Sequence, residues 1–184
     1  MNFQTTFILD TSAILAIQQI FFVFESESEQ NNKLMTTVEI YNEFKDDFSK
    51  FRIKAMVDSG DLKVISPTLE AIKKIETECI NIGNNSKLSP QDKTILALAW
   101  QESKNTEISV VILSDDYEIQ NTAYLIGLKY KPIRTKGIKY SVKFIKYCGD
   151  CRNKEIHLEE LECPNCGSRN IKNKQIKKKI QNLP

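Results

Sequence analysis

Two sets of residues in this 184-residue chain could do chemistry, one acidic and one thiol. The acids are Asp10 in "FILDTSAIL", Glu39 and Glu43 in "TTVEIYNEF", Asp92 in "LSPQDKTILALA", and Asp115 with Asp116 in "VILSDDYEIQN". Asp10 is the least expected, because it follows an apolar strand-like run, where an unpaired carboxylate is costly or takes up a proton. Singly, each acid has an ordinary explanation. Asp10 can cap a helix starting near Ser12, Asp92 suits a helix dipole, and Glu39 and Glu43 at i, i+4 can be solvated. If they converge, their mutual repulsion calls for a cation, and a carboxylate set without His favours Mg²⁺ or Mn²⁺.

The thiols are Cys148 and Cys151 in "CGDC" and Cys163 and Cys166 in "CPNCG". Two C-x₂-C knuckles let four thiolates reach one tetrahedral Zn²⁺, with Gly149 and Gly167 supplying turn flexibility. A redox C-x-x-C would sit in a βαβ context, which is missing here. The only His, His157, lies between the pairs and outside the body, so Ser-His-Asp and Cys-His catalysis in the body are excluded. Cys79 reads as a small core residue. No phosphate-binding glycine loop occurs.

The elements that must position these groups alternate. Strands are expected at 6–9, 34–37, 62–66 and 108–113, with "LKYKPI" the last. Helices are expected at 11–19, about 38–48, 48–58, 68–81, 90–103 and 116–126, with Ser89 as N-cap and Pro90 at the first helical position of the fifth. The six-residue run "ISVVIL" has the composition of a central parallel strand buried on both faces. The reading is an α/β three-layer sandwich with a mostly parallel central sheet, followed by a small zinc ribbon. Residues 1–136 form the body, 137–170 the ribbon and 171–184 a basic tail expected to be at least partly disordered. Residues 26–33 read as a polar loop.

The order "FILDTSAIL … TTVEIYNEF … LSPQDKTILALA … VILSDDYEIQN" resembles the PIN-domain nucleases, α/β proteins whose acids bind divalent metal and cleave RNA. The resemblance covers residues 4 to 133. It implies Asp10 as a metal ligand supported by Ser12, then Glu43 with Glu39 as competitor, Asp92, and Asp116 with Asp115 alongside; Asn121 would help order that last loop. A PIN domain joined to a zinc ribbon further resembles the archaeal Nob1 family, endonucleases that trim the 3′ end of small-subunit ribosomal RNA. That implies pre-rRNA as substrate, 5′-phosphate products, and ribosome assembly factors as partners.

Charge agrees with an RNA-facing tail. Residues 141–184 hold ten Lys/Arg against five Asp/Glu, while residues 1–140 hold 16 against 19. Lys143, Lys146, Tyr147, Arg152 and Arg169 are the candidate RNA contacts, by stacking and by charge. Two other function classes fit less well. A toxin-type PIN ribonuclease would usually end with the body, and a non-catalytic RNA-binding assembly factor would not need the acids. No apolar run is long enough to cross a membrane and the N-terminus does not resemble a signal peptide, so a cytoplasmic protein is expected.

Overall fold

The computed structural model describes residues 4–16, 32–154, 156–157 and 160–180. Five strands form one parallel sheet: β1 (Gln4–Leu9), β2 (Lys33–Thr36), β3 (Leu62–Val64), β4 (Ile108–Leu113) and β5 (Lys129–Lys131), in the order β3-β2-β1-β4-β5. The two middle strands carry the most apolar sequences, and Ile8, Leu9 and Ile112 are fully buried. Their register pairs Ile8 with Ile112 and Leu9 with Leu113, so β1 and β4 end side by side.

Helices flank this sheet: α1 (Thr11–Leu15), α2 (Val38–Glu43), α3 (Asp47–Asp58), α4 (Leu69–Ile82), α5 (Pro90–Glu102) and α6 (Tyr117–Leu125). The single helix expected over 38–48 is shorter, because Phe44 takes an extended conformation and Asp46 caps a separate α3. Ser89 and Asp92 form a reciprocal capping box at the start of α5, with Pro90 inside the first turn. Thr94 to Ala99 of that helix are buried without interruption. Gly83 ends α4 in the left-handed conformation, which costs glycine no Cβ clash. α1 ends at Leu15 with Ala16 as its C-cap, short of the helix expected over 11–19; residues 17–19, and most of the polar loop at 26–33, lie outside the described residues.

A second, two-stranded antiparallel sheet pairs β6 (Tyr140–Cys148) with β7 (Ile171–Lys179). The run expected to be partly disordered is therefore a strand as far as Lys179. Its register matches Cys148 to Ile171 and Tyr140 to Lys179 along the whole ladder. Only Ile171 and Ile176 of β7 are even half-buried. Backbone pairing with β6, rather than an apolar face, defines the strand. Among the described residues, no helix is long and apolar enough to cross a membrane.

Candidate active site and thiol cluster

Parallel strands leave the crevice at their carboxyl ends for ligands, and Asp10, Asp115 and Asp116 follow β1 and β4 at that edge. Asp10 follows β1 and is 4% exposed. Its Oδ1 accepts from the Ala13 N–H (2.7 Å) and from Ser12 Oγ (2.8 Å), and its Oδ2 accepts from Ser114 Oγ. The same hydroxyls accept in turn: Ser12 Oγ from the Asp115 N–H (3.1 Å) and Ser114 Oγ from the Asp116 N–H (3.0 Å). Two serines thus tie both backbone amides of the "DD" pair to the one buried carboxylate. Burial pushes the Asp10 carboxyl above its usual range and the nearby charge of Asp116 adds to this, against the three hydrogen bonds.

The adjacent aspartates have separate surroundings. Asp115 Oδ1 accepts from the N–H groups of Ile133, Arg134 and Thr135, while its Oδ2 accepts from Arg134 Nε at 3.1 Å. Burial alone would raise its carboxyl, but these donors outweigh it and hold the group at about 2. Both of its oxygens are engaged by the loop after β5. Asp116 caps α6, with Oδ1 accepting from Glu118 N–H (2.7 Å) and Ile119 N–H (3.0 Å).

Two threonine contacts tie the elements that carry the remaining acids to this edge, although among the described residues no three acids bring their oxygens together as the four thiols bring their sulfurs. Thr36 Oγ1 donates to the Leu9 carbonyl at 2.8 Å, locking the end of β2 to β1. Thr37, the N-cap of α2, shares a buried 2.9 Å hydrogen bond with Thr94 one turn into α5. Glu43 accepts from Thr11, the neighbour of Asp10. Glu39, one turn earlier on α2, keeps a buried carboxylate oxygen, Oε2, with no hydrogen-bond partner. Asp92 Oδ2 accepts from the Ser89 N–H in its capping box (2.8 Å). A raised, buried Asp10 beside Asp116 and an orphaned Glu39 oxygen fit a hard cation, since every donor at the edge is oxygen.

The thiols close into one group. Cys148, Cys151, Cys163 and Cys166 place their sulfurs all within 4.8 Å of one another. The Cys148–Cys166 and Cys151–Cys163 separations are 3.7 and 3.5 Å. Four sulfurs at the usual Zn–S distance are about 3.8 Å apart, so the cluster has the dimensions of a site that could bind zinc. The residue after the second Cys of each knuckle is left-handed: Gly167 at φ 69° and Arg152 at φ 60°. Turn freedom was expected of Gly149, but its φ is not positive. What matters there is room, because a Cβ would meet Asn170 at 2.5 Å. Cys79 is fully buried in the core and burial pushes its thiol up to about 11, leaving it inert.

A family model described as the PIN domain of ribonuclease matches residues 7–101. The endoribonuclease Nob1 of Pyrococcus abyssi is 33% identical over 137 residues, covering 72% of this chain and 79% of that relative. The chain belongs to the Nob1 group of PIN-domain ribonucleases. A second Nob1 endoribonuclease, from Methanothermobacter thermautotrophicus, is 29% identical over 147 residues, covering 79% of this chain and 83% of the relative. Ribonuclease VapC1 of Thermoplasma acidophilum is 28% identical over 146 residues, covering 79% and 67%. As a Nob1-type protein the chain is an endoribonuclease that acts on RNA.

The candidate RNA contacts on the Nob1-type ribbon differ in freedom. Lys143 and Arg152 are exposed. Tyr147 is half-buried. Lys146 donates to the Glu160 carbonyl at 2.8 Å, and Arg169 pairs with Glu162 at 2.7 Å. Asn121, expected to order the loop after β4, instead binds the backbone of Val142. The side chain that spans that loop is Gln120, donating to the Ser114 carbonyl and accepting from the Ile138 N–H. Sequence reading passed over Ser114 and Thr11. Both adjoin quoted acids in "SDD" and "DTS", which was the available signal.

Proposed function

We propose that this protein is the endoribonuclease that processes the 3′ end of small-subunit pre-rRNA during ribosome biogenesis, in the cytoplasm. The observation that carries the reading is the joining of a PIN body, with its serine-tied Asp10, to a four-thiol knuckle cluster in a chain of the Nob1 group. Asp10, Glu43, Asp92 and Asp116 would hold Mg²⁺ or Mn²⁺, with Glu39 the competitor to Glu43. A metal held there would supply an activated water and stabilise charge on the phosphate, with 5′-phosphate and 3′-hydroxyl ends expected. Ser12 and Ser114 fix the rotamer of Asp10, and Asp115 holds the loop beside the site instead of reaching into it.

The four cysteines would hold a structural Zn²⁺ that folds the ribbon, since a unit this small has little core of its own. The body ends near residue 136 and the ribbon with its basic strand grips pre-rRNA on the small subunit. Cleavage of a labelled RNA spanning the mature 3′ end, beside unrelated RNAs of equal length, tests the substrate. One metal-dependent cut at the mature end is expected. Cuts scattered over all the RNAs would instead favour a toxin-type ribonuclease, a reading kept open by the similarity to ribonuclease VapC1.

A further inference from the structure

Helix α3 presents two large rings that the core does not use. Phe48 and Phe51, one turn apart, are 71% and 73% exposed. Paired exposed aromatics on a polar helix mark a contact surface rather than a packing face. Cations interleave with them. Arg52 already lies 5.6 Å from the centroid of the Phe48 ring. Beside Phe51 runs an open groove of about 580 Å³ whose walls include Tyr41, Lys45, Lys50 and Lys54, with Asp47 the one carboxylate among its lining residues. The groove lies between α2 and α3, with Tyr41 and Asn42 on its α2 side.

We propose that this face of α3 is a single-strand RNA platform for part of the substrate strand. Bases stack on Phe48 and Phe51, while Lys45, Lys50 and Lys54 meet the phosphates. The proposal rests on the endoribonuclease reading and adds to it the surface that holds the strand. Charge decides for RNA over a protein helix. Three lysines against one aspartate suit a phosphate backbone, and every base offers a face to an aromatic ring whatever its sequence. A protein partner would instead want a mostly apolar surround, whereas the groove sets Asn42, Lys45, Asp47, Lys50 and Lys54 against Tyr41, Phe44 and Ile53.

The test uses full-length protein carrying Asp10→Asn, in Mg²⁺, with labelled oligoadenylate of about 12 nucleotides read by fluorescence anisotropy. Phe48→Ala with Phe51→Ala should weaken binding at least tenfold, taking stacking at about a factor of ten per base as typical. Phe48→Leu with Phe51→Leu should weaken it as much, because apolar area without a π-face cannot stack. Phe48→Trp with Phe51→Trp should retain binding, with the new indole fluorescence quenched by RNA. Lys45→Gln with Lys50→Gln should flatten the dependence of log K on log salt by about 0.7 per lysine. Binding by the Ala and Leu variants within about twofold of the parent overturns the platform, as does full rescue by Leu, which would show that the rings do not act by stacking. Cleavage by protein with native Asp10 is read in parallel. If it cuts no RNA, the nuclease reading fails; if it cuts and the ring variants bind normally, only the platform fails.

Discussion

Asn121 satisfies both backbone groups of Val142: its Nδ2 donates to the Val142 carbonyl at 2.9 Å, and the Val142 N–H donates to its Oδ1 at 2.7 Å. One amide side chain on α6 therefore mimics a strand partner and fastens β6 to the body. Asn121 is 1% exposed and Val142 is buried too, so no water replaces either bond cheaply. Asn121→Ala should lower stability by about 2 to 3 kcal/mol, the cost of orphaning a buried N–H and C=O. Asn121→Asp keeps an acceptor and loses the donor, and should place its charge where it cannot be solvated. Denaturant melts of the two variants check this, and a loss below about 0.5 kcal/mol would mean that the clamp is not needed.

Asp115 makes a pH-dependent contribution. Its folded carboxyl lies at about 2 against an ordinary 3.8, so the bound form is the ionised one. The sign follows: the stabilisation is complete above about pH 4 and is lost as pH falls toward 2. Asp115→Asn should cost about 2 kcal/mol at pH 7, and the gap between variant and parent should close on acidification through that window. Melts at a series of pH values measure the gap, and one constant from pH 7 to pH 3 would contradict the assignment.

Arg152 and Gly167 hold equivalent places after the second cysteine of their knuckles, both with left-handed backbone. An L-residue there carries about 1 kcal/mol of steric cost that glycine avoids. Arg152→Gly should therefore stabilise the ribbon by about that much, while removing one candidate RNA contact. A higher chelator concentration needed for unfolding would show it; an unchanged midpoint would show that the Arg152 side chain offsets the strain.

Removing the metal should affect the two halves differently. Cys163→Ser, or a thiol-competing chelator, should abolish zinc uptake, unfold the ribbon and weaken RNA binding, leaving the PIN body folded by far-UV circular dichroism. Metal analysis and an RNA binding isotherm on the same preparation are enough. Unchanged affinity in zinc-free protein would remove the ribbon from RNA recognition.

What the sequence made legible follows from local chemistry. Apolar β-branched runs such as "ISVVIL" announced the central strands, and Ser89-Pro90-Gln91-Asp92 announced a helix start with its cap. The order of acids between those elements points to the carboxyl ends of β1 and β4, where Asp10 and the Asp115–Asp116 pair follow the strands. The misses share a cause. β7 is a strand because β6 pairs with it along nine residues, and no apolar alternation in "IKNKQIKKK" reports that. Asn121 was assigned to the wrong loop because its partner is a backbone 21 residues away. The division of labour between Asp115 and Asp116 likewise depends on the loop at 133–135, which adjacency in sequence cannot reveal.

The central claim is that the carboxylate of Asp10 is part of a metal-dependent cutting site. Asp10→Asn keeps the shape and the helix cap while removing a buried charge whose carboxyl is already pushed up, so the fold should survive or gain slightly. The measurement is cleavage of labelled small-subunit 3′-end RNA by parent and variant, each with Mn²⁺ and without divalent metal. The account predicts cutting by the parent with Mn²⁺ alone, and none by a folded, RNA-binding variant. Strong cutting by Asp10→Asn, or by the parent without divalent metal, would contradict it.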